Sequence, residues 1–450
     1  MPLFGFQETG ASWLSGGKRR YLADDMGLGK TPQAITACDL VNAINVLVVA
    51  PGCVRQKWGH EFRRWSIDER HVQLITTKAC KPAPNAVNVV SYNLLRDPKV
   101  RKRLYQIGPW DAVIADEAHG LKEGSSKQSQ LMLGKRGVVD RAYHYWPLSG
   151  SPTPNNYAEW YTHLRKFGAY AESYESFKQR FCRLSVDGFG REKIVGGKRD
   201  EELRELLNPW VLRRVKEDVL DDLPDLIVSE RYVEAPEKLD AALLASAALP
   251  EDVEAAVAAG PAAVNELLTP TQRRAIGLYK VAGTAEAARQ WLTDNPGQKL
   301  VLFGHHPVVL DGIGAKLKSF GAVVVHGKST TKIDEAQQRF QGDPRCRVFL
   351  GQMTSAGVGV DLVAASTVWI VEADWTPDIN RQAIDRVRRI GQSVGVVAEF
   401  VVLPGTIDEH IQATYARKAR DMNTLYEPMR EKVQPVVAHN AVTGYSVFDL

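Results

Sequence analysis

Short apolar runs alternate with stretches of helical periodicity along this chain, and they form two separate series. The first comprises residues 21–23, 46–50, 72–75, 87–90, 112–115 and 143–148. The second comprises 300–303, 322–325, 347–350, 368–371 and 396–402. Runs this short and this apolar suit strands buried on both faces, the condition met in parallel sheets. Helices between them would serve as crossovers over the sheet faces. A chain of 450 residues is also too long for one ordinary core. The expected fold class is therefore α/β, with two doubly wound parallel-sheet lobes.

The texture changes between the two series. Residues 155–220 are aromatic and charged with helical spacing and show no convincing strand, which predicts a helical protrusion. Residues 236–290 are Ala-rich and punctuated by Pro250, Pro261 and Pro270, which reads as several short helices. The Gly-rich stretch 188–197 reads as a hairpin or mobile loop, since no Lys-Thr pair follows it. The expected organisation is a first lobe over 1–224, a linker and second helical protrusion over 225–295, and a second lobe with a tail over 296–450.

No run of about 18 apolar residues occurs, so no membrane span is expected. The first residues, MPLFGFQETG, lack the basic start and apolar stretch of a secretory signal. Cys38, Cys53, Cys80, Cys182 and Cys346 are scattered with no CxxC pair, which argues against a zinc site or a disulfide framework. A reducing, cytoplasmic setting is expected. A net charge of +4 permits nucleic-acid binding without arguing for it, so motifs must carry the case.

The strongest local signal is Ala23-Asp24-Asp25-Met26-Gly27-Leu28-Gly29-Lys30-Thr31, set between an apolar run and a helical stretch. Glycines let a backbone wrap closely and aim N–H groups at phosphate oxygens. A helix N-terminus adds favourable partial charge. Asp25, Gly27, Gly29, Lys30 and Thr31 are therefore candidates for a nucleotide site. Lys30 would reach the β- and γ-phosphates of ATP, and the Thr31 hydroxyl would ligate Mg²⁺. Asp24 stands where the strict phosphate-loop pattern has its first glycine. The matching partner is Asp116-Glu117-Ala118-His119, which ends an apolar run. Asp116 at a strand tip can hold the Mg²⁺ water shell, and Glu117 can orient and deprotonate an attacking water.

Together with Leu148-Ser149-Gly150-Ser151-Pro152-Thr153-Pro154, these segments resemble the SWI/SNF-type motors of the superfamily-2 helicases. Phe6-Gln7 resembles the adenine-reading glutamine motif, which makes Gln7 a cofactor candidate. Val48-Val49-Ala50-Pro51 and Ser91-Tyr92 match further segments in order. The block from Trp210 to Leu220, followed by Leu223-Pro224, resembles one typical of the region between lobes. Thr354 to Leu362 resembles motif V and brings in Gly359 and Asp361, although Asn or Thr is common where Asp361 stands. Gln382 to Gln392 resembles motif VI. Phe303-Gly304-His305-His306 points to the annealing-helicase, fork-remodelling branch.

The resemblance implies two RecA-like lobes, ATP and Mg²⁺ as cofactors, and double-stranded or branched DNA as partner. It also implies a bare motor of the kind expected in a bacterium or phage, associated with DNA. Arg386 and Arg389 are three apart, so on a helix they would share a face, with Asp385 bracing Arg389. Aimed at a γ-phosphate, the two arginines would stabilise charge developing in the transition state. The expected catalytic set is Lys30, Asp116, Glu117, Arg386 and Arg389. Expected contacts to DNA phosphates come from Ser91, Gly150, Thr153, Lys328, Ser329, Thr330, Thr354 and Ser355. The expected function is ATP-driven translocation on duplex DNA that remodels or reanneals it. A strand-separating helicase and a catalytically silent DNA-binding scaffold are the alternatives.

Overall fold

The computed structural model describes residues 2–153, 156–186, 192–219, 225–234, 270–327, 333–353, 360–374, 377–389 and 391–404, together with 406 and 408. The strands of the first half are β1 (Tyr21–Leu22), β2 (Val46–Ala50), β3 (Val72–Ile75), β4 (Val87–Ser91), β5 (Trp110–Asp116), β6 (Ala142–Leu148), β7 (Cys182–Val186), β8 (Glu192–Gly197) and β9 (Val211–Leu212). Those of the second half are β10 (Leu226–Tyr232), β11 (Leu300–Gly304), β12 (Val323–Val325), β13 (Val348–Gln352), β14 (Thr367–Ile370) and β15 (Val396–Val402).

Two sheets result, and every pairing within them is parallel. The first runs β3-β4-β2-β5-β6-β1-β9 and the second β10-β15-β14-β11-β13-β12. Alternate side chains of a strand point to opposite faces. Leu47, Val49, Val113 and Ala115 accordingly join one core, while Val46, Val48, Ala112 and Ile114 join another beneath the opposite face. Leu300 and Leu302 divide from Val301 and Phe303 in the same way in the second lobe. Both faces of each sheet are thus covered, which explains the continuous apolar runs of the sequence. The two-lobed parallel α/β architecture is as expected, and each of the eleven apolar runs overlaps an observed strand.

Three local expectations need correction. Residues 155–220 contain strands after all. β7 and β8 form an antiparallel hairpin, and β9 adds to the edge of the first sheet. Cys182, Leu184 and Val186 alternate with polar residues too briefly to mark the first strand, and the glycine-rich second strand is legible only as a hairpin or loop. The stretch expected to be linker contributes β10, the edge strand of the second sheet, where only Leu226 and Arg231 are half-buried. Pro270 does not separate short helices but opens the helix Pro270–Asp294, where its missing N–H costs little. Ile276, Ala285, Ala288 and Leu292 of that helix lie in the second lobe's core. Residues 235–269 lie outside the described residues. Among those described, no helix is long and apolar enough to cross a membrane.

His163 is buried in the first lobe, edge-on to the Tyr21 ring at 5.0 Å. Burial disfavours its charged form and pulls it down to about 4. Unfolded chains bind a proton there near 6.5, so stability contributed by the neutral ring is present at neutral pH and lost as pH falls from 6.5 towards 4. Between pH 8 and pH 5 the wild-type protein should lose about 2 kcal/mol on this account. Urea unfolding of His163→Phe should show a correspondingly flatter pH dependence.

Candidate active site

β1 ends at Leu22, and the chain turns through a glycine-bearing loop into the helix Lys30–Leu40. Gly27 (φ 84°) and Gly29 (φ 74°) take left-handed conformations that side chains oppose. Added bulk would also collide, since a Cβ on Gly29 would lie 2.3 Å from Gln7 Nε2. Gln7 ties this loop to the first helix: its Oε1 accepts from Phe4 N–H at 3.1 Å and its Nε2 donates to Leu28 O at 3.1 Å. Lys30 Nζ donates to Asp24 O at 2.7 Å and Asp25 O at 3.1 Å. Burial draws the Lys30 ammonium down, and Glu117, Asp24, Asp25 and Asp116 pull it back up.

Asp24 explains itself here. It is fully buried and pairs with the equally buried Arg214, whose Nε and Nη2 reach its two oxygens at 3.0 and 2.6 Å. Gln33 bridges the pair, accepting from Arg214 at 2.7 Å and donating to Asp24 at 3.1 Å. The residue that breaks the strict phosphate-loop pattern is therefore the loop's anchor to the strand β9.

Asp116 and Glu117 stand at the tip of β5, beside the same loop. Trp58 Nε1 donates to Asp116 Oδ2 at 2.7 Å, and Tyr92 Oη donates to Asp116 O at 2.8 Å. Burial, and then the neighbouring Glu117, push the Asp116 carboxyl up to about 6. Burial pushes Glu117 up as well, but His119, Lys30 and Arg386 outweigh it and hold its carboxyl low. Glu117 has φ 50°, an uncommon left-handed backbone for a non-glycine residue. His119 lies 3.3 Å from Glu117 Oε2 and 3.0 Å from Ser149 Oγ, linking the acid pair to the end of β6.

The second lobe closes the site. Arg386, Arg389 and Asp361 line a cleft of about 590 Å³ with Gln7, Gly27, Gly29, Lys30, Thr31, Asp116 and Glu117. Arg386 is buried, and its Nε has no hydrogen-bond partner among the described residues. Ion pairs between the lobes hold this arrangement. Arg381 meets Asp25, and Lys216 Nζ reaches Asp385 at 2.6 Å and Arg388 O at 2.8 Å. Burial would raise Asp25, but Arg381, Arg213 and Lys216 together keep it well ionised.

The brace expected within motif VI is not the one observed. The helix Pro377–Ile384 ends before Asp385, so Arg386 and Arg389 lie in the turns that follow. They still converge on the cleft. Asp385 is taken by Lys216, and Asp361 pairs with Arg389 in its place.

The candidates for DNA contact fare differently. Ser91 is buried and caps the short helix Tyr92–Leu95 by accepting from Leu94 N–H at 3.3 Å. Gly150 packs against Met26, where a Cβ would meet the side chain at 2.7 Å, and its carbonyl accepts from Arg213 at 3.1 Å. Thr153 is fully buried. Ser91 and Thr153 thus turn inward, and Gly150 packs against the loop that carries Met26. Lys328, Ser329, Thr330, Thr354, Ser355 and Gly359 lie outside the described residues. His305 and His306 turn to a carboxylate of the second lobe instead. Their backbone N–H groups both donate to Glu372 Oε2 at 2.9 Å, and His306 Nδ1 lies 2.6 Å from Glu372 Oε1.

The residue-level reading missed Trp58, Lys57, Lys216 and the Asp24–Arg214 pair. Only the last left a signal, in two adjacent arginines following the apolar Val211-Leu212. A buried arginine demands an acid partner, and Asp24 was the acid without a role.

A family model described as the SNF2-related domain matches residues 6–240, and one described as the helicase conserved C-terminal domain matches residues 283–391. The chain is 29% identical over 432 residues to the Caenorhabditis elegans SWI/SNF-related matrix-associated actin-dependent regulator of chromatin subfamily A-like protein 1 homolog, covering 90% of this chain and 59% of that protein. It is 28% identical over 469 residues to the Mus musculus DNA annealing helicase and endonuclease ZRANB3, covering 99% of this chain and 43% of that protein. The chain thus spans about half the length of these relatives. A solved structure described as the Sulfolobus solfataricus SWI2/SNF2 ATPase core in complex with dsDNA aligns over 95% of this chain and 93% of that one, at 22% identity and a TM-score of 0.43.

Breaking a buried ion pair strands a charge, whereas removing both partners does not. Arg214→Met should therefore cost about 3–5 kcal/mol in urea unfolding. Adding Asp24→Leu to that variant should recover part of the loss. A smaller cost for the single substitution than for the double would show that the pair does not hold the loop.

Proposed function

Since the chain belongs to the SNF2-related family, we propose that it hydrolyses ATP in the cleft between its lobes and couples turnover to movement along double-stranded DNA. One observation supports this reading above the others. Lys30, Asp116 and Glu117 of the first lobe share a cleft with Arg386 and Arg389 of the second, although most of the chain lies between them.

Each residue has a task that its surroundings suit. Lys30 and the loop N–H groups bind the phosphates. Gln7 lies at the end of the cleft lined by Pro2, Leu3 and Phe4, where the base would bind. Thr31 and Asp116 would hold Mg²⁺, and the donor set fits: a hydroxyl and a desolvated carboxylate whose unfavourable burial a divalent cation would relieve. The ion would neutralise phosphate charge when bound. Glu117, kept ionised by its neighbours, takes the proton of the attacking water. Arg386 and Arg389 meet the charge that develops on the terminal phosphate.

The arginines and the lysine belong to different lobes, so hydrolysis requires closure, and release of products permits opening. That alternation supplies the motion along DNA. Remodelling or reannealing of DNA follows from the likeness to the annealing helicase, and a setting alongside DNA follows with it. The catalytic groups that a silent scaffold would be free to lose are all present.

Phosphate release should be stimulated by duplex DNA. Lys30→Ala and Glu117→Gln should each lower kcat by at least about 100-fold. Full DNA-stimulated turnover in either variant would overturn the assignment. Comparing single-stranded, duplex and forked DNA as activators, with strand displacement read on the fork, separates translocation from strand separation.

A further inference from the structure

The cleft contains a carboxylate that the proposed reaction does not use. Asp361 belongs to the second lobe and lines the cavity between Lys57 of the first lobe and Arg389 of its own. Its Oδ1 pairs with Arg389, and its Oδ2 lies 3.7 Å from Lys57 Nζ. Lys57 projects from the helix Arg55–Trp65, one residue before the Trp58 that grips Asp116. Burial draws the Lys57 ammonium down, and Asp361 is the foremost charge that pushes it back. Arg386 and Arg389 face the same space and repel it.

Three cations thus converge where the wall offers them Asp361, Glu61 on the helix that bears Lys57 and, deeper in, Glu117. Clustered like charges are costly unless an anion sits among them. Asp361 is that anion in this structure, and it bridges the two lobes in doing so. A terminal phosphate entering the cleft would bring several negative oxygens to the same cations. It would compete with Asp361 for Arg389 and be repelled by the carboxylate it displaces. A nucleoside diphosphate, lacking that group, would meet neither effect.

Resting on the ATP reading above, we propose that Lys57 is a further binding residue for the γ-phosphate, and that Asp361 is a stand-in anion which occupies Lys57 and Arg389 until that phosphate displaces it. The carboxylate thereby sets a threshold for nucleoside triphosphate and keeps the second-lobe arginine from engaging prematurely.

The position lends itself to substitution. The backbone around Asp361 is fixed by groups other than its carboxylate. Its N–H donates to Gln337 at 3.2 Å, its carbonyl accepts from Gln341 at 2.7 Å, and Leu362 N–H donates to Arg386 O at 2.8 Å. Asp361→Asn therefore removes charge with little change of shape.

The test is equilibrium binding of two fluorescent nucleotides, a β,γ-imido analogue of ATP and ADP, to the full chain. Asp361→Asn should bind the triphosphate analogue about tenfold tighter, and ADP within about twofold of wild type. Lys57→Ala should bind the triphosphate analogue about tenfold more weakly with ADP little changed, and Lys57→Arg should restore it. Unchanged or weaker triphosphate binding by Asp361→Asn, or an equal shift for both nucleotides, overturns the proposal. Lys30→Ala in the same assay tests the underlying reading. If it binds both nucleotides as wild type does, the cleft is not the ATP site. If it fails to bind while Asp361→Asn shows no selectivity, only the stand-in role falls.

Discussion

Asp24 and Arg214 form an ion pair with no access to water, and the geometry of the nucleotide loop depends on it. A charge in such a place is tolerated only when its partners are complete. Here they are: both carboxylate oxygens, the guanidinium and the Gln33 amide satisfy one another. Gly10 leaves the room this requires, since a Cβ there would lie 1.9 Å from Gln33 Oε1. The loop is consequently fastened from below to β9, an edge strand contributed late in the first half of the chain. Its upper surface, with Lys30 and Thr31, is free to face the cleft.

The same economy of charge governs the junction between lobes. Asp25 follows Asp24 directly, yet its carboxylate faces the other way and receives Arg213 of its own lobe and Arg381 of the other. Lys216, buried beside it, crosses to Asp385 and to the Arg388 carbonyl. Gly27 approaches the Arg389 side chain closely enough that a Cβ would lie 3.4 Å from it. The lobes thus meet through the phosphate loop itself. The segment bearing Arg386 and Arg389 therefore lies directly against that loop.

Fold class was legible because parallel sheets covered on both faces leave an unmistakable record, and the apolar runs at 46–50 and 300–303 are of that kind. β10 was not legible, and of the β7–β8 hairpin only the glycine-rich second half was, as a hairpin or loop over 188–197. Their exposed residues carry no obligation to be apolar, so LIVSERY and EKIVGG could equally have been loops. Lys30, Asp116, Glu117, Arg386 and Arg389 could be nominated from sequence because each residue type answers a chemical requirement, and the fold brings all five to one cleft. The partners that orient them were not. Nothing local in the sequence says that Trp58 donates to Asp116 or that Lys216 takes Asp385, because such contacts are made by tertiary packing across elements. Helical spacing failed for Arg386 and Arg389 because the helix stops at Ile384, and the turn that follows brings them together by another route.

That turn has a consequence for how the two lobes are held to one another. On a continuous helix the two arginines would move as one rigid body with Arg381. Placed beyond the helix end, they are held instead by separate partners: Arg389 by Asp361, and the backbone of Arg386 by Leu362 N–H. Both partners lie in motif V, so the arginines are tied to that segment as well as to the end of their own helix, where Arg386 N–H donates to Ala383 O at 3.2 Å. Arg381, still on the helix, is anchored to Asp25. Withdrawing Arg389 from Asp361 therefore need not break the Arg381–Asp25 contact. Arg389 can thus change partners while the Arg381–Asp25 pair keeps the lobes joined at the loop.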